Sequence, residues 1–360
     1  MRLPQELTIF ENPHPLLVSR QAIFPGIVQL ADDGLLAMYS IGQAFDAADH
    51  RAFVSKSTDL GQSWTAPERM HDHEFAPFPI SETFKPLLLS DGTLLATGYG
   101  FVRPDDLTPI VDPNTFKVLK LRNMVSTSDD GGQSWQVPRL IDIQGQPLEM
   151  SGPCIQLRTG RIIGAAAPFH LGADNHSGWI VNSDDGGTTW QKLSEFFAST
   201  KGEIAAWECR ICEMDQDHVA VLFWAYDNKL QRNLNNQIVF SRDGGQTFGP
   251  AIDTGVHAQA SNLMSLSDDK ILTIHAHREN PVGLWVRMVD ISGDRFTIEQ
   301  ELNLFSNDSM ASQTQDIRKQ FASLKFGQPS LLQLSNGQVL AACWSQQNAQ
   351  HVIKGYLLDL

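Results

Sequence analysis

The chain contains few cysteines, and they lack the spacing that a disulfide framework needs. Cysteine occurs at only four of the 360 positions, Cys154, Cys209, Cys212 and Cys343. The Cys209-x-x-Cys212 pair lies in a β-like run, and no second pair follows at the spacing of a zinc site. We therefore expect four reduced, buried thiols, and neither a metal nor another cofactor.

Positive charge is scarce as well. Lysine and arginine total 27 against 41 acidic residues, which gives a net charge of −14. This acidity, without a basic cluster, argues against nucleic acid or an anionic membrane as a partner. The sequence also lacks an apolar run long enough to span a bilayer, and residues 1–8 lack the apolar core of a signal peptide. We expect a soluble, cytoplasmic protein, and the composition leaves its oligomeric state open.

One short motif, by contrast, is repeated. Its form is Ser-x-Asp-x-Gly-x-(Ser/Thr)-aromatic, and its four copies span residues 57–64, 128–135, 183–190 and 241–248. The glycine permits a positive φ, the aspartate can accept amide hydrogens of the turn, and the aromatic ring can pack as an apolar peg. We therefore interpret this turn motif as a structural β-hairpin turn rather than a metal or catalytic site.

A second pattern recurs six times, as an apolar strand, a polar turn and another apolar strand. The turns, at Gly34, Gly92, Gly160, His218, Lys270 and Gly337, are 58, 68, 58, 52 and 67 residues apart. Each interval has room for four short strands, whereas a β-sandwich lacks a sixfold period and a β-helix has shorter coils. The sequence predicts an all-β, six-bladed β-propeller that forms a single domain over residues 1–360. We expect residues 7–10 to supply the last strand of the sixth blade.

The strand order predicts where binding residues lie. Because strands one and two of a blade are antiparallel, the start of strand one and the loop after strand two share a face, opposite the turn motifs. Long loops on a rigid scaffold commonly carry binding sites. The expected site therefore combines the inner-strand residues Ile23, Phe24, Glu82, Lys85, Glu149, Trp207, Glu208, Gln259 and Gln328 with the loops 42–50, 99–120, 169–178, 225–236, 276–283 and 345–350.

Acidic residues in these segments point to sugar chemistry, since glycoside hydrolysis commonly uses two carboxyl groups. Glu208 has apolar neighbours, which favours a raised pKa, although an ion pair with Arg210 would be a structural alternative. Asp46 and Asp49 lie in a polar loop, where solvation is the default. The candidate catalytic residues are Glu208, Asp46, Asp49 and Glu82.

Basic, aromatic and amide side chains in the same segments could bind substrate. The candidates are Lys85, Arg103, Trp207, Arg278, Gln328, His170 and His277. His275 and His277 share a strand face, which would allow a metal, but hydrogen bonding or packing is the alternative that we favour.

The repeats together resemble the sialidase (neuraminidase) superfamily over nearly the whole chain. In that family the turn motif is the Asp-box, a scaffold turn remote from the active site. The family's Asn-Glu strand start corresponds to Trp207-Glu208, so the glutamate is retained. Its acid/base aspartate corresponds to Asp46 or Asp49. The resemblance implies a six-bladed propeller that binds a small carbohydrate.

The sequence departs from the family at three other positions. The family's Phe-Arg-Ile-Pro segment corresponds to residues 22–25, where Ile23 replaces the arginine that holds the substrate carboxylate. The tyrosine nucleophile corresponds to Gln328, and residues 260–262 contain no arginine. Because bidentate arginines are difficult to replace as a carboxylate clamp, we expect a sugar other than sialic acid.

Three functions remain open. The first is a sialidase-like glycoside hydrolase that releases a terminal sugar from a small oligosaccharide or glycoconjugate, by an inverting route if no tyrosine acts as nucleophile. The second is a polysaccharide or oligosaccharide lyase whose base is Tyr99, His170, His275 or His277. The third is a non-catalytic carbohydrate-binding propeller.

Overall fold

A computed structural model of the protein describes residues 1–2, 4–312, 314 and 316–360. Its regular structure is almost entirely β. In the described residues the helical segments are α1 (Ile317–Gln320) and two 3-10 turns at Asp308–Met310 and Phe321–Ser323. None of the described helices has the length and apolar character needed to cross a membrane.

The strands follow one another in short runs along the chain. The first half contains β1 (Gln5–Phe10), β2 (Gln21–Gln29), β3 (Leu35–Gly42), β4 (Arg51–Ser57), β5 (Glu68–Arg69), β6 (Thr83–Leu88), β7 (Leu94–Phe101), β8 (Leu121–Ser128), β9 (Arg139–Ile141), β10 (Leu148–Glu149), β11 (Ile155–Gln156), β12 (Ile162–Pro168) and β13 (Ser177–Ser183). The second half contains β14 (Gln191–Ala198), β15 (Ile204–Asp215), β16 (His218–Asp227), β17 (Arg232–Asn233), β18 (Gln237–Ser241), β19 (Ile252–Asp253), β20 (Ser261–Ser267), β21 (Lys270–His277), β22 (Gly283–Asp290), β23 (Thr297–Ser306), β24 (Phe326–Gln333), β25 (Val339–Gln347) and β26 (Gln350–Leu358).

The chain divides into two compact units. The terminal unit comprises Arg2–Ile141 and Lys325–Leu360, and the central unit comprises Asp142–Leu324 with Met1. The sheets of the terminal unit have the strand orders β2-β3-β4-β5, β6-β7-β8-β9 and β1-β26-β25-β24. Those of the central unit are β10-β12-β13-β14 with β11 beside β12, β15-β16-β18-β19 with β17 beside β16, and β20-β21-β22-β23. These sheets are the blades of a six-bladed β-propeller, as predicted.

The N-terminal strand belongs to the blade formed by the C-terminal strands. β1 pairs antiparallel with β26, with Leu7 opposite Gly355. Leu7, Ile9 and Phe10 are buried. β26 is therefore paired on both sides, and β1 supplies the fourth, outermost strand of this blade.

The central strands of the blades are buried on both faces, which explains their continuous apolar runs. Every residue of β3 and of β7 is buried. In the central unit, Ile163 and Ala165 of β12 belong to the same apolar cluster as Ile211 of β15 and Val221 of β16. Neighbouring blades within a unit are therefore joined by a dry core.

The turn motif has the structural role that its composition predicts. In the copy at 128–135, the Asp130 carboxylate accepts hydrogen bonds from the backbone N–H and hydroxyl of Ser134. Those bonds hold the pKa of Asp130 well below its usual range. Gly132 has a φ of 75° and donates its N–H to Ser128 Oγ at 3.0 Å. The aspartate carboxylate is therefore engaged in hydrogen bonds within the turn.

All four cysteines are free and buried, as the sequence indicates. Burial raises the pKa of the Cys212 and Cys343 thiols to about 12. The thiolate forms are therefore disfavoured at neutral pH.

Candidate active site

Three inner strands have the same backbone irregularity near their N-terminal ends. A β-bulge interrupts each strand, and a non-glycine residue at the bulge has a positive φ, which is uncommon and strained. These residues are Phe24 (61°) in β2, Glu208 (46°) in β15 and Gln328 (39°) in β24. A bulge re-aims the side chain that it carries, so Glu208 and Gln328, both selected from the sequence, occupy specialised positions.

Glu208 is the best-placed acid of the central unit. The residue is 8% exposed, and its Oε2 atom is buried without a hydrogen bond from any described residue. Oε2 lies 4.0 Å from a guanidinium nitrogen of the buried Arg210. Arg210 itself is held by Ser151 Oγ at 3.2 Å and the carbonyl oxygen of Cys209 at 2.9 Å. The carboxylate is therefore next to a cation but is not tied down by it.

Glu149, the second residue of β10, forms a pair with Glu208. Its carboxyl group is hydrogen-bonded by the backbone N–H of Glu208 and by the side chain of Ser151. Burial and the neighbouring Glu208 carboxylate raise the pKa of Glu149 to about 8, against an opposing effect of Arg210. Two carboxyl groups in one buried space favour retention of one proton between them.

A second buried arginine of the central unit, Arg278, is held in place by a chain of amide side chains. Arg278 donates to Gln259 Oε1 at 2.7 Å, and Gln259 donates to Gln320 Oε1 at 2.8 Å. Gln320, which is fully buried, donates to the carbonyl oxygen of Thr314 at 2.7 Å. Burial lowers the pKa of Arg278 to about 10, while the negative charge of Glu208 acts in the opposite direction. Arg278 and Arg210 thus balance the acidic pair.

An aromatic cluster packs around the residue that precedes Glu208. The Trp207 ring stacks on Tyr226 with centroids 4.9 Å apart and meets Trp224 edge-on at 5.3 Å. Ile317 and Phe321, from the helical segment after β23, complete the cluster. Because Trp207 is only 1% exposed, its ring packs inside the cluster and stiffens the strand beside Glu208.

The histidines selected from the sequence are packed against other side chains. His170 stacks on His176 with ring centroids 3.9 Å apart. His275 is hydrogen-bonded to Asn236 at 2.8 Å, and burial places its pKa well below the usual value. Burial and Arg287 lower the pKa of His277 to about 3. These contacts favour hydrogen-bonding and packing roles for the pair on β21.

In the terminal unit, hydrogen bonds from other loop residues hold both Asp46 and Asp49. Asp46 accepts from Arg103 at 3.1 Å and from the backbone N–H of Ile110 at 2.9 Å. Asp49 accepts from the backbone N–H of Gln43 at 3.0 Å. Arg103 and Asp46 therefore fasten loop 99–120 to loop 42–50, and a catalytic role for either aspartate stays a prediction.

The other candidates of the terminal unit are buried, unlike Asp46 and Asp49. Glu82 accepts from the backbone N–H of Ala52 at 3.1 Å and lies 3.5 Å from Arg51 Nε. Lys85 donates to the carbonyl oxygens of Phe24 and Pro25, which braces the bulge of β2. Gln328 is 2% exposed, and its Oε1 accepts no hydrogen bond from the described residues.

The sequence placed Glu149 among the inner-strand residues but did not select it as a candidate carboxylate. Its only signal was an acid at the end of a short apolar segment. Pairing with Glu208 depends on how β10 and β15 pack within the central unit, and no spacing in the chain reveals it.

Solved structures of the same fold include several sialidases. The chain superposes on a protein of unknown function from Dyadobacter fermentans DSM 18053 with a TM-score of 0.77 and 22% identity, covering 100% of this chain and 99% of that one. For the Hadza microbial sialidase Hz136 the TM-score is 0.66 at 16% identity, with 94% and 66% covered. For the NanB sialidase of Streptococcus pneumoniae it is 0.66 at 13% identity, with 100% and 71% covered. At these identities the likeness establishes the sialidase-type propeller fold.

Sequence comparison identifies the family. No curated protein matches the chain. The BNR repeat-like domain matches residues 107–340, which is more than half of the sequence and contains three of the four turn motifs. Low identity to the sialidases agrees with the missing arginine and tyrosine at Ile23 and Gln328. The protein therefore belongs to the BNR repeat-like domain family.

Proposed function

We propose that the protein is a glycosidase that releases a terminal sugar other than sialic acid from a small oligosaccharide or glycoconjugate. The observation that carries the proposal is the buried pair of Glu149 and Glu208, with a guanidinium nitrogen of Arg210 4.0 Å from Glu208 and Arg278 in electrostatic interaction with Glu208. Sialidase-type folds include glycoside hydrolases and carbohydrate-binding proteins, so the fold supports the class of ligand.

The pair can supply both halves of acid–base catalysis. Burial and the neighbouring Glu208 carboxylate favour the protonated form of Glu149, so the proton of the pair resides on Glu149. A pair with one proton can give it to the oxygen of the leaving group or accept a proton from the attacking water. In hydrolysis the bond from the anomeric carbon to the leaving oxygen breaks, a water oxygen bonds to that carbon, and the pair ends with its original single proton.

Two other residues, Ile23 and Gln328, argue against a sialic acid substrate. Ile23, at the position of the family's first arginine, is an apolar side chain with 1% exposure. Gln328 stands at the position of the family's tyrosine nucleophile. Its side-chain amide cannot replace the tyrosine hydroxyl as the nucleophile. Without the carboxylate clamp, the substrate's anionic group would lose its binding energy.

The test is a screen of aryl glycosides and reducing oligosaccharides, including an aryl sialoside, against the wild type, Glu208→Gln and Glu149→Gln. We expect turnover of a non-sialic glycoside and a fall in kcat of about 10²–10⁴-fold in each variant. Glu195→Gln, a change at an exposed position of the same unit, is the matched control. Full activity of Glu208→Gln would exclude this mechanism, and sugar binding without turnover would indicate a non-catalytic binding protein.

A further inference from the structure

The terminal unit contains a cavity that the proposed chemistry does not use. It has a volume of about 570 Å³ and lies under the connection from β5 to β6. Its lining includes Arg51, Arg69, Glu82 and the segment 72–80. Small-molecule sites are typically about 300–1,000 Å³, so the cavity is large enough for a sugar ring.

Two arginines point into this cavity from one face of the first blade. Arg69 of β5 lies directly opposite Phe53 of β4, and Arg51 lies two residues before Phe53. Side chains two apart share a face, so the arginines form a diagonal pair, with Cβ atoms roughly 7–8 Å apart by strand geometry. Their side chains are 32% and 37% exposed. Arg51 Nη1 donates to the carbonyl oxygens of Ala48, His50 and Ile80, so Arg69 is the more available donor of the two.

Each arginine has an acid beside it, without a close bidentate pair. Arg51 Nε lies 3.5 Å from Oε1 of the buried Glu82. Arg69 lies 3.4 Å from Asp72, whose side chain is 84% exposed. Such an exposed pair contributes little to stability and yields readily to a ligand. Glu74 adds a third acid to the lining, so the site has donors next to acceptors and no dominant charge.

Part of the cavity lining is apolar. It is formed by Phe75, Pro77, Phe78 and Pro79. Phe75 packs edge-on against the buried His71, with ring centroids 5.5 Å apart, and Phe78 packs on the core of the unit. A sugar ring needs this combination, because it presents C–H groups on one face and neighbouring hydroxyls at its edge.

We propose that the cavity is a non-catalytic binding site for a neutral sugar ring, with hydroxyls held by Arg51, Arg69 and Asp72 and the ring face against Phe75 and Phe78. The mixed signs of the lining favour a neutral sugar over a uronate or a phosphorylated sugar. This site does not depend on the proposed glycosidase activity, since it shares no residue with the Glu149–Glu208 pair.

The test is ligand-observed NMR of the full chain with the methyl glycosides of glucose, galactose and mannose, with glucuronate and glucose 6-phosphate as charged probes. We expect saturation transfer to at least one neutral glycoside and a dissociation constant at least tenfold higher in Arg69→Ala. Arg139→Ala is the matched control. Arg139 of β9 lies opposite Val125 of β8, just as Arg69 of β5 lies opposite Phe53 of β4, but Arg139 does not line the cavity. The control should bind as the wild type does.

Three results would overturn the proposal. The first is the absence of binding by any neutral glycoside at 50 mM, which is roughly the weakest affinity that a specific site would show. The second is equal binding by Arg69→Ala and the wild type. The third is binding of the charged probes alone. Loss of binding in Glu208→Gln with retention in Arg69→Ala would assign the sugar to the carboxyl pair and would also overturn it. A glycosidase activity that fails its own test leaves these outcomes unchanged.

Discussion

The backbone N–H of Glu208 is hydrogen-bonded to the carboxyl group of Glu149, so the strained backbone of one acid supports the side chain of the other. The positive φ of Glu208 carries an energetic cost, which the surrounding β15 strand and its aromatic neighbours offset. This arrangement presents Oε2 of Glu208 without a hydrogen bond from the described residues while Glu149 retains a proton. Both properties suit a group that exchanges protons with a ligand.

Glu149 should make folding stability depend on pH. The folded state keeps the proton of Glu149 up to about pH 8, whereas an unfolded chain loses it near its usual pKa of 4.5. The folded state therefore binds more protons in this window, so the stabilisation is complete below about 4.5 and decreases as the pH rises to about 8. Urea unfolding between pH 4.5 and 8 should show the free energy of the wild type falling relative to Glu149→Gln, by at most about 1.4 kcal/mol per pH unit. Parallel curves for the two proteins would contradict the assignment.

The turn motifs should contribute stability through their aspartates. Asp130→Ala removes the acceptor of two Ser134 hydrogen bonds, and we expect a Tm several degrees lower at pH 7. Because the turn lowers the folded pKa of Asp130, its stabilisation is present above the usual pKa of 3.8 and is lost as the pH falls below it. The neighbouring Asp129→Ala, at an exposed position, is the matched control for calorimetry. Equal effects of the two substitutions would show that the turn does not depend on Asp130.

The N-terminal strand should be necessary for the stability of its blade. Ile9 is 4% exposed in β1, and Ile9→Ala should lower the free energy of unfolding by about 2–5 kcal/mol, since it opens a cavity in a packed core. Deletion of residues 1–10 should be more severe because it also removes the pairing with β26. The exposed Gln5→Ala is the control, with an effect within about 0.5 kcal/mol. A wild-type Tm after the deletion would refute a role for this strand.

Gln320 should hold the helical segment against the aromatic cluster. Gln320→Leu leaves the amide of Gln259 and the carbonyl of Thr314 without their partner, and each buried loss costs about 1–3 kcal/mol. We expect faster limited proteolysis within 314–324 and stronger acrylamide quenching of tryptophan fluorescence. Lys319→Ala, on an exposed neighbour, should leave both measurements unchanged. Unaltered proteolysis of Gln320→Leu would show that apolar packing of Ile317 and Phe321 suffices.

Much of the architecture could be predicted because short segments of the sequence determine it. Period and turn chemistry are properties of short segments, so the four turn motifs and the six strand pairs identify the propeller class before any contact is known. The loops 99–120 and 42–50 were predicted as binding loops, but their joining by Arg103 and Asp46 was not, because an ion pair between distant segments leaves no pattern in either.

The candidate site was only partly predictable for the same reason. Glu208 was selected from its apolar neighbours and from its match to a family motif, and its bulge gives that position a physical basis. Glu149 was passed over as a carboxylate because its raised pKa comes from burial beside Glu208. Burial is a property of packed strands, and the sequence near Glu149 does not encode it.

The sequence by itself determined the repeated turns, the buried strands, the four thiols and the absence of a sialidase-like arginine at Ile23. Each of these depends on residues adjacent in the chain or on the identity of a single side chain. Tertiary structure alone decided that Asp46 is held by Arg103, that Gln320 is linked through Gln259 to Arg278, and that burial beside Glu208 raises the pKa of Glu149. Those relationships join segments far apart in the chain, and their energies arise only when packing removes water from between them.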